Sequence, residues 1–260
     1  MILKYIDPKS VKENVFDKGY VVIDDAIDPS AFESIRSFWL NYYKKPSDNL
    51  SEVIWTPFIG EMNQTSYSSD EFQTLYRSYD FLWNQAFHDD TRNLCIELQL
   101  LKNRAVNEPD DNGIRFSPDR FGMYVSTSYY PPGIGRLGMH RDSNLNKEVL
   151  IHFIVPLTFK DIDYAAGGLV IENKNGERID VDAQMRPRSV LYYDAGLMHG
   201  VDKIIPKPGQ SVGRLQTFGI TTNFEVPWKS NDLFGRLSMQ QILKFQLLKL
   251  RKKLKSTISL

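Results

Sequence analysis

The sequence predicts a mainly β protein, either an antiparallel barrel or a jelly roll, with helices packed on its outside. From about residue 107 to residue 225, short strand-like runs alternate with turns that contain Gly and Pro. No helical segment connects these runs, which argues against a parallel βαβ sheet. The residues before about position 107, by contrast, carry apolar side chains at helical spacing.

Two helical regions are predicted before the strands. After a short strand at residues 20–23, Asp28 and Pro29 supply the cap and the first-turn proline of a helix. Its apolar stripe consists of Phe32, Ile35, Trp39 and Tyr42. A second helical region is predicted from about residue 70 to residue 101, with a break near His88. Its period is set by Phe72, Leu75, Tyr76, Tyr79, Leu82, Trp83, Leu94, Leu98 and Leu101.

Short strands are predicted after a polar turn at residues 107–113. They cover residues 122–129, 137–142, 149–159, 168–172, 189–194, 199–204 and 213–224. At this chain length we expect a single domain over residues 1–231, with a helical part at 1–106 and a β core at 107–225.

The last segment, residues 232–260, is predicted to form a basic amphipathic helix. Its apolar stripe consists of Met239, Ile242, Leu243, Leu247, Leu250 and Leu254, and its charged residues from position 239 onward are all Lys or Arg. Such a helix can bind weakly to an anionic membrane surface or to a second copy of the chain. Docking on its own domain, with the basic face in solvent, is the plainer alternative.

Composition and charge restrict the class of protein. Hydrophobic residues make up 42% of the chain and charged residues 25%, which excludes a disordered or fibrous protein. Lys plus Arg equals Asp plus Glu at 32 each, so no overall field attracts nucleic acid, and we expect a small-molecule partner. The single cysteine, Cys95, favours a reducing, cytoplasmic location. No apolar run is long enough to predict a transmembrane segment.

Two H-x-D tripeptides occur among the four histidines, at His88 and at His140. In a strand, residues i and i+2 point to one face, so that both can bind one ion, whereas in a helix they diverge. His88 lies at the end of helical sequence, and we assign it to a helix terminus. His140 ends a predicted strand, so His140 and Asp142 form the better candidate pair.

A third ligand is predicted at His199, which opens a later strand after a tight turn. Two imidazoles and one carboxylate on one side of an ion form a facial triad, which suits Fe(II) and leaves coordination positions open for chemistry. A histidine at a strand end is also a common polar cap, and the pattern alone leaves that alternative open.

Several motifs in order resemble a known family. Residues 16–25, FDKGYVVIDD, and the helix after Asp28 resemble the opening of phytanoyl-CoA-dioxygenase-like proteins. The His140 to Asp142 motif, residues 167–169 (GGL) and residues 197–201 (LMHGV) resemble the core of Fe(II)/2-oxoglutarate-dependent oxygenases. This resemblance implies a double-stranded β-helix fold, Fe(II) held by the triad, and 2-oxoglutarate and O2 as co-substrates.

The resemblance also implies roles for residues beside the metal. The family has a basic residue on the strand after the distal histidine, where it binds the carboxylate of 2-oxoglutarate that points away from iron. Arg214 is the candidate here, with Lys207 as the alternative. Tyr130 and His152 are candidate cosubstrate contacts, and each could instead be an ordinary packed core residue.

The resemblance implies a dioxygenase that hydroxylates an unactivated C–H bond of a small metabolite and releases succinate and CO2. The carboxylate at Asp142 favours hydroxylation, because related halogenases have a small residue there. The alternatives are a cupin-like metalloprotein, meaning an isomerase or a dioxygenase without 2-oxoglutarate, and a catalytically silent binding domain. Arg214 distinguishes the first two readings, because its guanidinium has a reason to face the pocket only if 2-oxoglutarate binds there. Loops at residues 50–68 and 141–147 are expected to form the substrate walls.

Overall fold

Eleven strands, three α-helices and one short 3-10 helix (Pro46–Asn49) form the regular structure of the described part of the chain. This computed structural model describes residues 2–51, 63–82, 84–114, 121–142 and 150–223. The helices are α1 (Pro8–Lys18), α2 (Pro29–Tyr42) and α3 (Asp89–Ala105). The strands are β1 (Tyr20–Ile23), β2 (Gln64–Ser69), β3 (Gln73–Phe81), β4 (Phe121–Tyr130), β5 (Arg136–His140), β6 (Ile151–Pro156), β7 (Tyr164–Glu172), β8 (Arg178–Asp180), β9 (Val190–Asp194), β10 (His199–Pro206) and β11 (Arg214–Asn223).

All strand pairs are antiparallel, and they form one curled sheet. Its order is β1-β9-β6-β11-β4-β3-β5-β10-β7-β8, with β2 paired to β3 outside this path. The strands β9, β6, β11 and β4 form one layer, and β5, β10, β7 and β8 form the facing layer. Strand β3 pairs with both β4 and β5 and so joins the two layers. This arrangement is the jelly-roll, double-stranded β-helix core that the sequence resemblance implies.

The helices pack on the outside of the barrel, as predicted. Asp28 caps α2 by accepting hydrogen bonds from the N–H groups of Ser30 and Ala31, and Pro29 begins the helix. Trp39 on α2 is buried and donates a hydrogen bond from Nε1 to Oγ1 of Thr91 on α3, 2.9 Å away. The apolar positions predicted for α3, namely Leu94, Leu98 and Leu101, are also buried. Their burial contributes to a core that is continuous with the outer face of the sheet.

The predicted helix over residues 70–88 is wrong, because this segment forms the hairpin of β2 and β3. Asp70 does not cap a helix. Its Oδ1 accepts hydrogen bonds from the N–H groups of Phe72 and Gln73, at 2.8 and 2.7 Å, and so forms the hairpin turn. Strand β3 then pairs with β4 from Tyr76 to Phe81. The apolar spacing of this segment only approximates a helical period. Strand pairing with β4, which suits its Thr, Tyr and Phe residues, therefore determines its structure.

Several other sequence expectations differ from the structure or lie outside it. Helix α1 and strand β8 were not predicted. The expected basic helix at 232–260 lies outside the described residues, as do positions 52–62 and 143–147 of the expected substrate walls. Among the described residues, no helix is long and apolar enough to span a membrane.

Candidate metal centre and cavity

Three predicted ligands converge inside the barrel. His140 ends β5, His199 begins β10, and the two residues pair directly across these neighbouring strands. Their ring centroids lie 4.3 Å apart. Oδ1 of Asp142 lies 3.7 Å from Nε2 of His140, and its Oδ2 lies 3.9 Å from Nε2 of His199. One ligand atom from each residue lies within 4.8 Å of the others, which is the spacing of groups that can hold a metal ion.

The backbone fixes the orientation of both imidazoles. Nδ1 of His140 lies 2.9 Å from the carbonyl oxygen of Gly138, and Nδ1 of His199 lies 2.9 Å from that of Leu197. A carbonyl oxygen can only accept, so the hydrogen-bond network assigns the proton of each ring to Nδ1. The lone pair of each ring is then on Nε2, the nitrogen nearer Asp142. This is the tautomer that a metal ligand requires.

The electrostatics of the three groups favour a bound cation. Burial raises the pKa of Asp142 to about 6, against the opposing effect of the His140 and Arg77 charges. Burial also lowers the pKa of His140 and of His199, with His199 adding to the effect at His140. Both imidazoles are therefore neutral near pH 7, as metal ligation requires. A divalent cation between them would neutralise the buried carboxylate.

Two nitrogen ligands and one carboxylate fit Fe(II) in particular. These three residues would fill only part of the coordination sphere of a bound Fe(II), and this donor set is that of mononuclear non-haem iron sites. The backbone holds the carboxylate in place as well, because the N–H of Asp142 donates to the carbonyl oxygen of Ala195 at 2.9 Å. By donor type, tautomer and charge, the residues present therefore fit the metal that the sequence resemblance implies.

A cavity that is open to solvent at its mouth adjoins the three ligands. Its walls come from both layers of the barrel and consist of Arg77, Tyr130, Leu137, His140, Asp142, His152, Phe153, Ile154, Leu169, Tyr193, His199, Gly200, Val201, Gln216, Phe218 and Ile220. The lining is mainly apolar, with a few polar groups, and such a lining excludes water and orients one small ligand.

Two of the predicted cosubstrate contacts, Tyr130 and His152, line this cavity. The hydroxyl of Tyr130 is buried and makes no hydrogen bond of good geometry with any described residue. Nδ1 of His152 lies 3.4 Å from Oδ2 of Asp142, so a third imidazole adjoins the carboxylate. Burial lowers the pKa of His152 well below its usual value, with Lys102 and His199 adding to the effect. His152 is therefore neutral near pH 7.

Arg214 is buried beside the cavity but is not one of its lining residues. Its Nε donates to Oδ2 of Asp182 at 2.5 Å, and its Nη2 donates to Oδ1 of the same carboxylate at 2.9 Å. Nη1 donates to Gln216. The alternative, Lys207, is on the surface, where Nζ donates to the carbonyl oxygen of Asp161 at 2.8 Å.

The close approach of Asp182 depends on a glycine of the GGL motif. Gly168 has φ +109°, in the left-handed region that disfavours other residues. A Cβ at this position would overlap the Asp182 carboxylate. The motif that supported the family resemblance therefore also makes room for the partner of Arg214.

Sequence reasoning missed Arg77, which lines the cavity from β3. Its Nε donates to Oγ of Ser128 on β4 at 3.1 Å, and its guanidinium lies 5.6 Å from the ring centroid of Phe218. Arg77 was not predicted to be a site residue because its segment was predicted to be a helix outside the barrel. The signal that could have revealed it is the richness of residues 74–81 in Thr, Tyr and Phe, which favours a strand.

Sequence comparisons and structure comparisons give different results. No protein-family model matches the sequence, and no curated protein matches it. Among solved structures, a prolyl-4-hydroxylase from Pseudomonas putida is similar with a TM-score of 0.54 at 12% identity, covering 83% of this chain and 98% of that chain. A prolyl hydroxylase from Trichoplax adhaerens, in complex with a hypoxia-inducible-factor peptide, gives 0.55 at 13% identity, with 82% and 88% covered.

A third similar structure is the non-haem α-ketoglutarate-dependent carbocyclase SnoK from nogalamycin biosynthesis. Its TM-score is 0.54 at 11% identity, and the match covers 86% of this chain and 89% of that chain. At such low identity the likeness concerns the fold alone. The chain thus has the double-stranded β-helix fold, which it shares with these hydroxylase and carbocyclase structures.

Proposed function

We propose that this protein is an Fe(II)- and 2-oxoglutarate-dependent dioxygenase that hydroxylates an unactivated C–H bond of a small metabolite. Succinate and CO2 are the co-products. The observation that carries the proposal is the convergence of His140, Asp142 and His199 on one point of a cavity inside a double-stranded β-helix. Each of the three was expected from sequence motifs, and Nε2 of each imidazole lies within 4 Å of the Asp142 carboxylate.

Fe(II) bound at this triad with 2-oxoglutarate would supply the oxidising chemistry, and the protein would bind and orient the reactants. The carbonyl groups of Gly138 and Leu197 keep Nε2 of both imidazoles directed at the metal position. Asp142 supplies the negative ligand. The apolar walls, including Leu169, exclude water from the reacting centre.

The cosubstrate is proposed to occupy the cavity beside the triad. Tyr130 supports this placement because its buried hydroxyl is available to donate a hydrogen bond to a ligand oxygen. His152 supports it because its imidazole adjoins Asp142. Two guanidinium groups lie near Tyr130, namely Arg214, which the sequence predicts as the anchor, and Arg77. Arg214 as the anchor remains a prediction, and its guanidinium is paired with the carboxylate of Asp182.

The subfamily and the cellular location belong to the same proposal. A phytanoyl-CoA-dioxygenase-like assignment is supported by the order of β1 and the Asp28-capped helix α2, which follow the opening motif at residues 16–25. A cytoplasmic location is supported by Cys95, a buried free thiol whose pKa burial raises to about 12. A buried thiol of this kind is unreactive and has no role in a disulfide.

A small-molecule substrate is supported by the walls of the site. The cavity lies inside the barrel and has a mainly apolar lining with a few polar groups, which suits a small ligand. Phe72 lies at the edge of the His140 ring, with centroids 5.8 Å apart, and 43% of its surface is exposed. We therefore expect Phe72 to form part of the substrate wall.

The test is an anaerobic titration of the metal-free protein with Fe(II) and then with 2-oxoglutarate. Chelation of the iron by the keto acid produces a visible metal-to-ligand charge-transfer band, which we expect in the wild type and not in Asp142→Ala. Iron binding without such a band would contradict the oxygenase proposal and favour a cupin-like metalloprotein. Screening of metabolites for stimulated succinate release would then identify the substrate.

A further inference from the structure

A third imidazole, that of His152, lies beside the carboxylate of Asp142. Nδ1 of His152 is 3.4 Å from Oδ2 of Asp142. This is closer than the nitrogens of the two ligand histidines, which lie 3.7 and 3.9 Å from the same carboxylate. As far as the described residues go, the group that can hold a metal ion does not include His152. Its contact with Asp142 therefore indicates a role other than ligation.

The nitrogen that faces Asp142 distinguishes His152 from the two ligand histidines. His140 and His199 each direct Nε2 toward the carboxylate, while their Nδ1 atoms lie 2.9 Å from backbone carbonyl oxygens. His152 directs Nδ1 toward the carboxylate. Because an ionised carboxylate only accepts hydrogen bonds, a ring nitrogen that faces it carries a proton. Nδ1 of His152 is then a donor and has no lone pair to offer a metal.

The sheet and one buried tyrosine hold the His152 ring in place. His152 is on β6, between β9 and β11, and pairs in register with Tyr193 of β9. The Tyr193 ring, which is 5% exposed, meets the imidazole edge to face, with centroids 6.1 Å apart and an interplanar angle of 83°. The same ring packs against His199, with centroids 5.2 Å apart. One buried side chain thus supports both His152 and a metal ligand.

The carboxylate of Asp142 needs such support because only its backbone is fixed by the strands. Asp142 lies two positions beyond the end of β5, where its N–H donates to the carbonyl oxygen of Ala195. Its carboxylate can bind a metal through one oxygen or through both. Carboxylate ligands are usually hydrogen-bonded to a further residue, which orients them. A donor on Oδ2 leaves Oδ1, the oxygen nearer Nε2 of His140, for the metal.

We propose that His152 is a positioning residue of the metal site, whose Nδ1–H donates to Oδ2 of Asp142 and so directs Oδ1 to the metal. At 3.4 Å the contact is slightly longer than a usual hydrogen bond, and a small movement of either side chain closes it. The inference rests on the metal site of the proposed function. It does not depend on the cosubstrate, because His152 acts through Asp142.

The test compares two substitutions of similar size, of which one keeps an N–H at the Nδ1 position. His152→Asn places an amide nitrogen there, and His152→Leu places a methyl group there. Full-length metal-free protein is titrated with Mn(II) without any keto acid, and the free ion is measured by electron paramagnetic resonance. We expect His152→Leu to weaken Mn(II) binding roughly 10- to 100-fold. His152→Asn should weaken it less than about threefold, because the donor is kept.

Co(II) provides a second readout that a loss of packing alone would not change. The visible bands of bound Co(II) depend on the number and type of the atoms that coordinate it. We expect the wild type and His152→Asn to give the same spectrum. His152→Leu should give a different one, because Oδ2 of Asp142 is released and becomes free to bind the metal together with Oδ1.

His88→Leu is the matched control, since it makes the same substitution at a histidine that stacks on Phe38 outside the cavity. It should leave both readouts at their wild-type values. Wild-type affinity and spectrum in His152→Leu would overturn the proposal. Equal losses in His152→Leu and His152→Asn would also overturn it, because they would mean that the whole ring is required.

His152→Phe is the second variant if His152→Leu does not fold. It keeps a ring but has no N–H, so the same loss of affinity and the same change of spectrum are expected. Absence of Mn(II) and Co(II) binding in the wild type would overturn both this inference and the proposed function. If the wild type binds both ions but Fe(II) gives no charge-transfer band with 2-oxoglutarate, the proposed function alone fails.

Discussion

The carboxylate of Asp182 and the guanidinium of Arg214 form a two-point ion pair inside the barrel, with Nε to Oδ2 at 2.5 Å and Nη2 to Oδ1 at 2.9 Å. Arg214 is 1% exposed and Asp182 is 3% exposed. Tyr164 also donates a hydrogen bond to Asp182. Because both charges are desolvated, each depends on the other, and the pair connects the segment after β8 to the start of β11.

Removing one member of this pair should be strongly destabilising. We expect Asp182→Ala and Arg214→Ala each to lower the free energy of unfolding by about 3–5 kcal/mol, because each leaves an unpaired buried charge. The double variant Asp182→Leu/Arg214→Met should be more stable than either single variant. Urea denaturation at pH 7 provides the measurement.

A matched control for that experiment is the ion pair of Arg178 and Asp202. Their side chains are 54% and 48% exposed, so the pair is on the surface. Arg178→Ala should cost less than about 1 kcal/mol. An effect at Arg178 as large as that at Arg214 would contradict the view that burial determines the cost.

The Asp142 carboxylate should make the stability of the metal-free protein depend on pH. Its pKa is about 6 in the folded protein against 3.8 for an exposed carboxyl group, mainly because of burial. A raised pKa means that the folded state binds the proton more tightly. Protonation of Asp142 therefore contributes fully to the free energy of unfolding below about pH 4, and this contribution is lost as the pH rises through about 6.

Asp142→Asn removes this dependence. We compare the free energy of unfolding of the metal-free variant with that of the metal-free wild type. This difference should be more favourable to the variant at pH 7 than at pH 4, by up to about 3 kcal/mol. Chemical denaturation in the presence of a chelator at both pH values measures the change. The same variant should bind Fe(II) much more weakly. Asp142→Asn is therefore expected to be more stable without metal at pH 7 and, at the same time, to lose the metal.

The sequence was sufficient to single out His140, Asp142 and His199, which the structure brings together, because each lies in a segment whose local signals agree. Gly and Pro residues bound β5 and mark its turn, so the face shared by His140 and Asp142 could be inferred. His199 follows a short turn after β9, and the direct pairing of β5 with β10 brings it opposite His140. The fold class followed from the same punctuation of short strands.

The remaining part of the site depends on contacts between distant segments. Arg77 reaches the cavity because β3 joins the two layers, whereas its own segment matches a helical period as well as a strand. Asp182 lies 32 positions before Arg214, in a segment with no regular structure, and Gly168 on β7 makes its approach possible. Local propensity contains no information on either relationship.

Metal binding should stabilise the folded protein through the three ligands. At a free Fe(II) or Mn(II) concentration 100 times the dissociation constant, the gain is about 2.7 kcal/mol, which raises the melting temperature by several degrees. His199→Ala should abolish the shift, because it removes one of two nitrogen ligands. Thermal unfolding with and without the metal under anaerobic conditions measures it.

His88→Ala is the matched control for the metal shift. His88 belongs to the other H-x-D tripeptide, but it lies at the start of α3 and stacks on Phe38, with centroids 4.6 Å apart. Its variant can lose some stability through this packing, yet the metal-induced shift should stay at the wild-type size. If the shift were lost in His88→Ala and kept in His199→Ala, the metal would bind near His88. That result would contradict the proposed site at His140, Asp142 and His199.

Gly168 provides a test of the link between the GGL motif and the buried ion pair. Gly168→Ala should cost several kcal/mol, because it adds backbone strain at φ +109° and forces Asp182 away from Arg214. Gly176→Ala is the matched control, since Gly176 has φ +78° and a methyl group added there would have no neighbouring atom within 4 Å. It should cost only the backbone strain, about 1 kcal/mol. In an Asp182→Gly background, which removes both the carboxylate and the Cβ that the added methyl group would meet, the extra cost at Gly168 should fall toward that of the control, as urea denaturation of the double variant can establish. An undiminished cost in that background would mean that the strain is in the backbone of β7 and that the glycine does not serve the ion pair.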